Sequence, residues 1–204
     1  MRRPNLNKKK IILGVTGSFG SGKSTVAGIF KSFGAKIIDA DKLAHKSIGP
    51  GNPAYKKIIK AFGKDILRKN KIIERRKLAA IVFNNKKLLK KLNNIIHPEV
   101  IRTIKSQIKN SHSKIIVLDV PLLIEAGLRE LVDKIIVVKI TRIEQIKRIQ
   151  KKTTLSKTDI LKRIKYQIPL RAKARLADFI IDNSGTIGET KKQAVRIRRL
   201  LWKN

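Results

Sequence analysis

The sequence of 204 residues contains no cysteine. This absence excludes a disulfide framework and any zinc or iron–sulfur site built from thiolates, and it fits a reducing compartment. A chain of this length can bury a substantial hydrophobic core without cross-links or metals. We therefore expect one large domain, or one core domain that carries smaller insertions.

Long apolar runs are also missing. No stretch approaches the ~18 apolar residues of a membrane span. The basic start MRRPNLNKKK is followed by an apolar run shorter than the roughly 7 residues of a secretory signal. We expect a soluble, cytoplasmic protein with no membrane partner, in which residues 1–10 form a basic leader. Nothing in the sequence indicates an oligomeric state.

Acidic residues are scarce, since 14 Asp and Glu stand against 49 Lys and Arg, for a formal net charge of +35. Basic chains attract phosphates, so nucleic acid is the obvious candidate partner. The lysines are scattered, however, and the aromatic residues that stack on bases make up only 4% of the chain. A nucleic-acid partner is therefore not favoured. A positive electrostatic field that attracts small polyphosphate ligands is a sufficient role for the charge.

Short runs rich in Ile and Val alternate with amphipathic helical patterns. Such near-continuous apolar runs are typical of strands buried on both faces of a parallel sheet. The alternation predicts a three-layer α/β fold with right-handed crossovers, in which ligands bind beyond the carboxyl ends of the strands. The predicted strands are 10–15, 35–39, 113–120, 133–140 and 178–182, and the predicted helices are 23–33, 142–152, 156–167 and 186–202.

Residues 42–112 interrupt this alternation with helical patterns and no convincing strand. We predict a core formed by residues 11–41 and 113–204, with 42–112 as a helical insertion that binds the substrate. A second basic helical region at about 142–176 is suited to act as a small lid over the site.

The stretch GSFGSGKS, Gly17–Ser24, fits the pattern G-x-x-x-x-G-K-[ST] between a predicted strand and a predicted helix. Glycines permit backbone angles and close approaches that a Cβ would prevent. The loop amides and the helix N-terminus then form a nest for an anion. Lys23 is expected to reach the β- and γ-phosphates, and the Ser24 hydroxyl to ligate Mg²⁺. The loop therefore predicts a nucleoside triphosphate site.

Several classes of phosphate-loop protein are disfavoured. No Asn-Lys pair is followed by Asp two residues later, as guanine recognition requires, and no LSGGQ-like signature of transporter ATPases is present. The chain is also too short for a two-lobed helicase. A small-molecule kinase remains the favoured class.

Three acidic residues stand at the predicted carboxyl ends of strands. Asp119 ends the run IIVLD, as expected of an acid that coordinates Mg²⁺ directly or through water. Asp39 and Asp41 in IIDAD follow the second strand and are expected beside the phosphate loop. A kinase needs a carboxylate that accepts or orients the proton of the attacking hydroxyl. Asp41 is our first candidate and Asp39 the second, although either is equally suited to cap the following helix.

The sequence resembles the dephospho-CoA kinase family from Ile11 to about Leu200. The resemblance implies transfer of the γ-phosphoryl group of ATP to the ribose 3′-hydroxyl of dephospho-CoA, which gives CoA and ADP in the last step of CoA synthesis. It also implies a core like that of nucleoside monophosphate kinases, a helical CoA-binding lobe and a lid. The motifs that carry it are GVTGSFGSGKST, IIDADKLAH, IIHP, VPLLIE and QIPLRAKARLADFIIDNSG.

The resemblance also implies roles for individual residues. Asp41 is expected to be the general base, and Arg148 of the lid matches a family arginine that would join Lys23 around the transferred phosphoryl group. His97, before Pro98, is expected at a helix entry. The ATP-binding residues are Gly17, Gly20, Ser21, Gly22, Lys23, Ser24 and Thr25, the Mg²⁺ ligands Ser24 and Asp119, and the acceptor-binding residues Asp39, Asp41, His97, Pro121 and Leu122.

The chain departs from the family pattern at a few positions. Ser18 stands where the family often has glycine, His45 where it commonly has arginine, and Lys152-Thr153 where an Arg-Asp pair is expected. The last difference weakens one bidentate phosphate contact. Two alternatives stay open: another small-molecule or nucleotide kinase on the same core and, less favoured, a basic nucleic-acid-binding NTPase.

Overall fold

The computed structural model describes residues 10–83, 85–121, 123–124, 127–154, 156–165 and 167–202. The chain separates into two compact units. One, the sheet unit, consists of the residues up to 38 and from 112 onward, and the other, the helical unit, consists of residues 39–111.

Strands and helices follow each other as the apolar periodicity predicts. The strands are β1 (Ile11–Gly17), β2 (Lys36–Asp39), β3 (Ile115–Asp119), β4 (Lys134–Lys139) and β5 (Phe179–Asp182). The helices are α1 (Lys23–Ser32), α2 (Ala40–Ser47), α3 (Pro53–Phe62), α4 (Arg75–Phe83), α5 (Lys86–Lys109), α6 (Arg142–Lys152), α7 (Lys157–Lys165), α8 (Leu170–Arg175) and α9 (Ile187–Trp202).

The strands form one five-stranded sheet in the order β2-β3-β1-β4-β5. β1 pairs in parallel with β3, beginning at Ile11 opposite Ile115, and with β4, and β4 pairs in parallel with β5. Every residue of β3 is buried, as expected for a strand covered on both faces. The prediction of an α/β fold with a parallel five-stranded sheet is confirmed.

The core of the sheet unit lies where helices α1 and α9 pack on the sheet. Phe30 of α1 and Val15, Val117 and Val138 of the central strands are fully buried there, and so is Ala194 of α9. Burying a valine or phenylalanine side chain stabilises the fold by about 1.5–3 kcal/mol. This packing fixes the start of α1 relative to the end of β1, where the glycine-rich loop lies.

The helical unit has its own core and local helix caps. Asp39 caps α2 by accepting the N–H of Lys42 at 2.9 Å, and Asn85 caps α5 by accepting the N–H groups of the next turn. The buried core cluster of this unit consists of Ile58, Ile66, Ile73, Leu78, Val82 and Leu92. Its limits, 39 and 111, lie within three residues of the predicted insertion.

Helix α5 corrects one prediction. His97 was expected at a helix entry, but α5 runs without interruption through His97 and Pro98. Pro98 lacks the N–H of an interior helical residue. The helix nevertheless continues, because Leu92, Val100 and Ile104 bury one face of it on both sides of the proline. None of the helices in the described ranges has the length and apolar character needed to cross a bilayer.

Candidate active site

The loop between β1 and α1 needs its glycines. Gly20 and Gly22 have φ angles of 73° and 88°, in the left-handed region that L side chains rarely adopt. A Cβ on Gly17 would lie 2.4 Å from the carbonyl oxygen of Val138, and one on Gly22 would lie 2.1 Å from Asn183 Nδ2. These glycines therefore let the backbone turn tightly between β1 and α1. The loop ends at the positive N-terminus of α1, and this arrangement binds phosphate groups in other proteins.

Lys23 and Ser24 are the first residues of α1. Lys23 is largely buried, and its Nζ donates to the carbonyl oxygen of Ser18 at 3.2 Å, so the ammonium group reaches back to the loop. Thr25 closes the first turn with its N–H on the carbonyl oxygen of Gly22. The N–H of Ser21 donates to Ser18 within the loop, and the buried Ser21 hydroxyl has no hydrogen-bond partner among the described residues.

Ser24 and Asp119 come together, as the sequence predicts for a metal-binding pair. Ser24 Oγ donates to Asp119 Oδ2 at 2.9 Å, where β3 ends. Hydroxyl and carboxylate oxygens are ligands that Mg²⁺ accepts, and Mg²⁺ bound to nucleotides commonly takes only one or two protein ligands. Within the described ranges no group of three or more His, Asp or Glu residues is arranged to hold a metal on its own. The pair therefore fits a metal ion that a triphosphate also ligates.

Three amide side chains that are not among the predicted site residues hold the loop. Gln145 of α6 donates through Nε2 to Ser18 Oγ at 3.0 Å and to the carbonyl oxygen of Phe19. Gln167 Oε1 accepts the N–H of Phe19 at 2.7 Å. Asn183 Nδ2 donates to the carbonyl oxygen of Ser21 at 2.9 Å.

The sequence carries only a weak signal for these amides. Gln167 and Asn183 lie within the long motif QIPLRAKARLADFIIDNSG, whereas Gln145 lies in none of the motifs. The segment Asn183-Ser184-Gly185 directly follows β5. Because Asn183 binds the phosphate loop, the segment has a defined structural role at the site.

Pro121, predicted to contact the acceptor, lies just beyond β3. Its carbonyl oxygen accepts bonds from Thr16 Oγ1 and Lys173 Nζ, each at 3.1 Å. Lys173 is completely buried, whereas Arg171 and Arg175 of the same helix are exposed. Lys173 is thus the cation of α8 that anchors the end of β3. Leu122 lies outside the described residues, as does nearly all of the predicted leader 1–10.

Arg148 joins α6 to the segment that follows β5. Its guanidinium donates to Glu144 Oε1 at 2.7 Å and to the carbonyl oxygens of Asn183, Gly185 and Ser184 at 2.8, 3.1 and 3.3 Å. The hydrogen bond from Arg148 lowers the pKa of Glu144. The role of Arg148 at the transferred phosphoryl group stays a prediction.

The two acids of IIDAD differ in what they do locally. Asp39 is the cap of α2, and it also forms an ion pair with Lys42 Nζ at 3.6 Å. Asp41 is exposed in the first turn of α2. Of the two alternatives that the sequence left open, capping therefore belongs to Asp39. The catalytic role of Asp41 stays a prediction.

His97, the remaining acceptor-binding candidate, is half-buried in the middle of α5. Burial lowers its pKa below the ordinary value of 6.5, because the charged imidazolium is penalised away from water. The imidazole is therefore neutral near pH 7.

A parallel sheet whose central strand leads through a glycine-rich loop into a helix starting with Lys-Ser is the arrangement found in P-loop kinases. The family model for dephospho-CoA kinase matches residues 11–189. The dephospho-CoA kinase of Carboxydothermus hydrogenoformans is 46% identical to this chain, over 95% of this chain and 96% of its own. The chain therefore belongs to the dephospho-CoA kinase family, a family of phosphotransferases.

Solved structures agree with this assignment. The dephospho-CoA kinase of Campylobacter jejuni superposes with a TM-score of 0.69 at 34% identity, over 94% of this chain and 97% of that one. A Thermus thermophilus protein superposes with a TM-score of 0.86 at 28% identity, over 97% of this chain and all of that one. The resemblance that the motifs indicated is confirmed over nearly the whole chain.

Proposed function

We propose that this chain transfers the γ-phosphoryl group of ATP to the ribose 3′-hydroxyl of dephospho-CoA, giving CoA and ADP. The observation that carries the proposal is the family match over residues 11–189, because it includes both the phosphate loop and the helical unit. The reaction would complete CoA synthesis. Charge accumulates on the phosphoryl oxygens during such transfers, so catalysis consists mainly of positioning and electrostatic stabilisation.

The phosphate loop is the proposed site for the triphosphate of ATP. Cβ atoms on Gly17, Gly20 and Gly22 would collide with protein atoms around the loop, and Gly20 and Gly22 adopt the left-handed backbone that side chains disfavour. This constrained backbone supports a nest of N–H groups for phosphate oxygens. Lys23 would neutralise charge on the β- and γ-phosphates, and Ser21, Ser24 and Thr25 would complete the nest through their amides or hydroxyls.

Ser24 and Asp119 are the proposed holders of Mg²⁺. Their direct hydrogen bond of 2.9 Å supports the proposal, because a bound ion would take two oxygens that already lie together. When bound, Mg²⁺ supplies positive charge to the phosphate oxygens. Asp119 is 6% exposed, so water screens the negative charge of its carboxylate only weakly.

The acceptor would bind the helical insertion at 42–112, with Asp39, Asp41, His97, Pro121 and Leu122 among its contacts. We assign Asp41 as the general base that orients the 3′-hydroxyl and takes its proton. The capping role of Asp39 supports this choice, since its carboxylate already has a structural role at the start of α2. The basic segment 142–176 would close over ATP, exclude water and bring Arg148 toward the phosphates.

The decisive experiment incubates the purified protein with ATP, Mg²⁺ and dephospho-CoA and examines the acceptor by mass spectrometry. We expect one added phosphate on the acceptor and stoichiometric ADP. Fragmentation assigns the phosphate to the 3′ position. A protein that instead phosphorylates nucleoside monophosphates, or whose ATP turnover requires DNA or RNA, would overturn the proposal in favour of one of the two alternatives.

A further inference from the structure

The backbone N–H and the backbone C=O of Phe19, at the tip of the phosphate loop, are each hydrogen-bonded by a glutamine distant in sequence. Gln167 accepts from its N–H across 148 positions, and Gln145 donates to its carbonyl oxygen across 126. Nothing in the proposed reaction uses either glutamine.

The chemistry of the peptide fixes how each amide is oriented. A backbone N–H can only donate, so Gln167 must offer its oxygen. A backbone carbonyl can only accept, so Gln145 must offer its nitrogen. The two glutamines are alike in sequence but opposite in function: one serves as acceptor and the other as donor.

The contact on the Gln145 side is buried. Gln145 is 3% exposed and Ile149, one turn later on α6, is 4% exposed. A Cβ on Gly20 would lie 2.4 Å from Ile149 Cγ1 and 3.9 Å from Gln145 Cγ, so this face of α6 packs directly against the loop. Water therefore cannot readily replace the Gln145 amide, and its loss removes a hydrogen bond from the part-buried Phe19 carbonyl.

We propose that Gln145 and Gln167 are positioning residues that hold the Phe19 backbone through its N–H and its C=O and keep the phosphate loop in its binding conformation before ATP arrives. This inference rests on the proposed function, because it assumes that the loop binds the triphosphate. A glycine-rich loop loses much conformational entropy when it is ordered. Holding it beforehand removes that cost from nucleotide binding.

The first test measures amide hydrogen exchange at Phe19 by NMR in nucleotide-free protein. Gln167→Met removes the acceptor and should speed exchange by about tenfold or more. Gln167→Glu keeps an acceptor and should exchange like the wild type. At position 145 the order is reversed: Gln145→Glu faces the Phe19 carbonyl with a carboxylate and should speed exchange more than Gln145→Met. Gln150→Glu, exposed on the same helix, is the matched control for the added charge.

The second test measures the ATP dissociation constant and the kinetic constants of the uncharged variants. Gln145→Met and Gln167→Met should each weaken ATP binding by about tenfold, the fold-change of one lost hydrogen bond. KM for ATP should rise by a similar factor, while KM for dephospho-CoA stays unchanged. Circular dichroism checks that each variant is folded. If a glutamate variant does not fold, the ATP affinities of Gln145→Met and Gln167→Met decide whether the glutamines position the loop.

The outcomes distinguish the positioning role of the two glutamines from the proposed kinase function. If Gln167→Glu exchanges as fast as Gln167→Met, or Gln145→Glu leaves exchange unaltered, the donor–acceptor assignment is wrong. If the methionine variants bind ATP like the wild type, the glutamines are packing residues only. Failure of the proposed function appears differently, as a wild type that protects Phe19 from exchange but does not phosphorylate dephospho-CoA.

Discussion

The phosphate loop and the helical unit are held in opposite ways. The loop is bound by side chains far along the chain, such as Gln145 at a separation of 126 positions and Asn183 at 162. In the helical unit Asp39 bonds a residue three positions away, and Asn85 residues two and three positions away. The conformation of the loop therefore depends on the folding of the whole sheet unit. These helix caps of the helical unit depend only on residues two or three positions away in the sequence. Substitutions in the two should fail differently.

The largest expected effect is that of Lys23→Ala. The variant loses the ammonium group that lies against the loop, and phosphoryl transfer should fall below detection because charge on the β- and γ-phosphates is no longer neutralised. Turnover is measured as ADP release with dephospho-CoA. Lys31→Ala, exposed on the same helix, is the control. A Lys23→Ala protein with substantial turnover contradicts the assignment.

Next is Asp41→Asn, which tests a residue of the helical unit. Loss of a general base should slow turnover by about 10²-fold or more while ATP affinity is unchanged. Turnover is followed at saturating ATP, and ATP affinity by calorimetry. Asp65→Asn, also exposed in the helical unit, should behave like the wild type. Near-normal turnover of Asp41→Asn would remove this carboxylate from the mechanism.

Gly22→Ala and Gly28→Ala form a matched pair of intermediate effect. Gly22 has a φ of 88°, and its Cβ would collide with Asn183, so alanine should cost about 1–2 kcal/mol of unfolding free energy or more. Gly28 lies inside α1 with open space around it, so alanine should stabilise by about 0.5–1 kcal/mol. Urea unfolding measures both. Equal effects of the two substitutions would show that the loop is not constrained by its surroundings.

The smallest expected effect concerns pH and the helical unit. Burial lowers the pKa of His97, so the unfolded chain binds its proton more readily than the folded chain does. Stability contributed by neutral His97 is present above about pH 6.5 and is lost as the pH falls through the lower, folded pKa. In urea titrations at a series of pH values, the unfolding free energy of His97→Gln should decrease less at low pH than that of the wild type. His112→Gln, at an exposed position, should follow the wild type.

The sequence predicted most of the sheet unit because its signals are local. Runs of Ile and Val mark β1, β3 and β4, and each predicted strand ends within two residues of the observed one. The glycine and lysine spacing likewise marked the loop, and the strand-final position of Asp119 predicted its meeting with Ser24.

The rest depends on contacts that spacing does not report. A glutamine on an amphipathic helix looks like a solvated side chain, and only the folded chain brings Gln145 to Phe19. Proline usually ends a helix, and only the packed face of α5 carries the helix past Pro98. A lysine within a basic stretch likewise gives no sign of burial, yet Lys173 is completely enclosed.

The position of β1 at the centre of the sheet also bears on how the chain is made. Ile11 pairs with Ile115, so β1 has no neighbour on that side until more than a hundred further residues have left the ribosome. Helices α2–α5 lie between β1 and β3 in the sequence. They pack against each other through contacts within the helical unit, so they can form during that interval. At about 5–20 residues per second, we expect synthesis to leave β1 exposed for seconds, during which the helical segment already becomes structured.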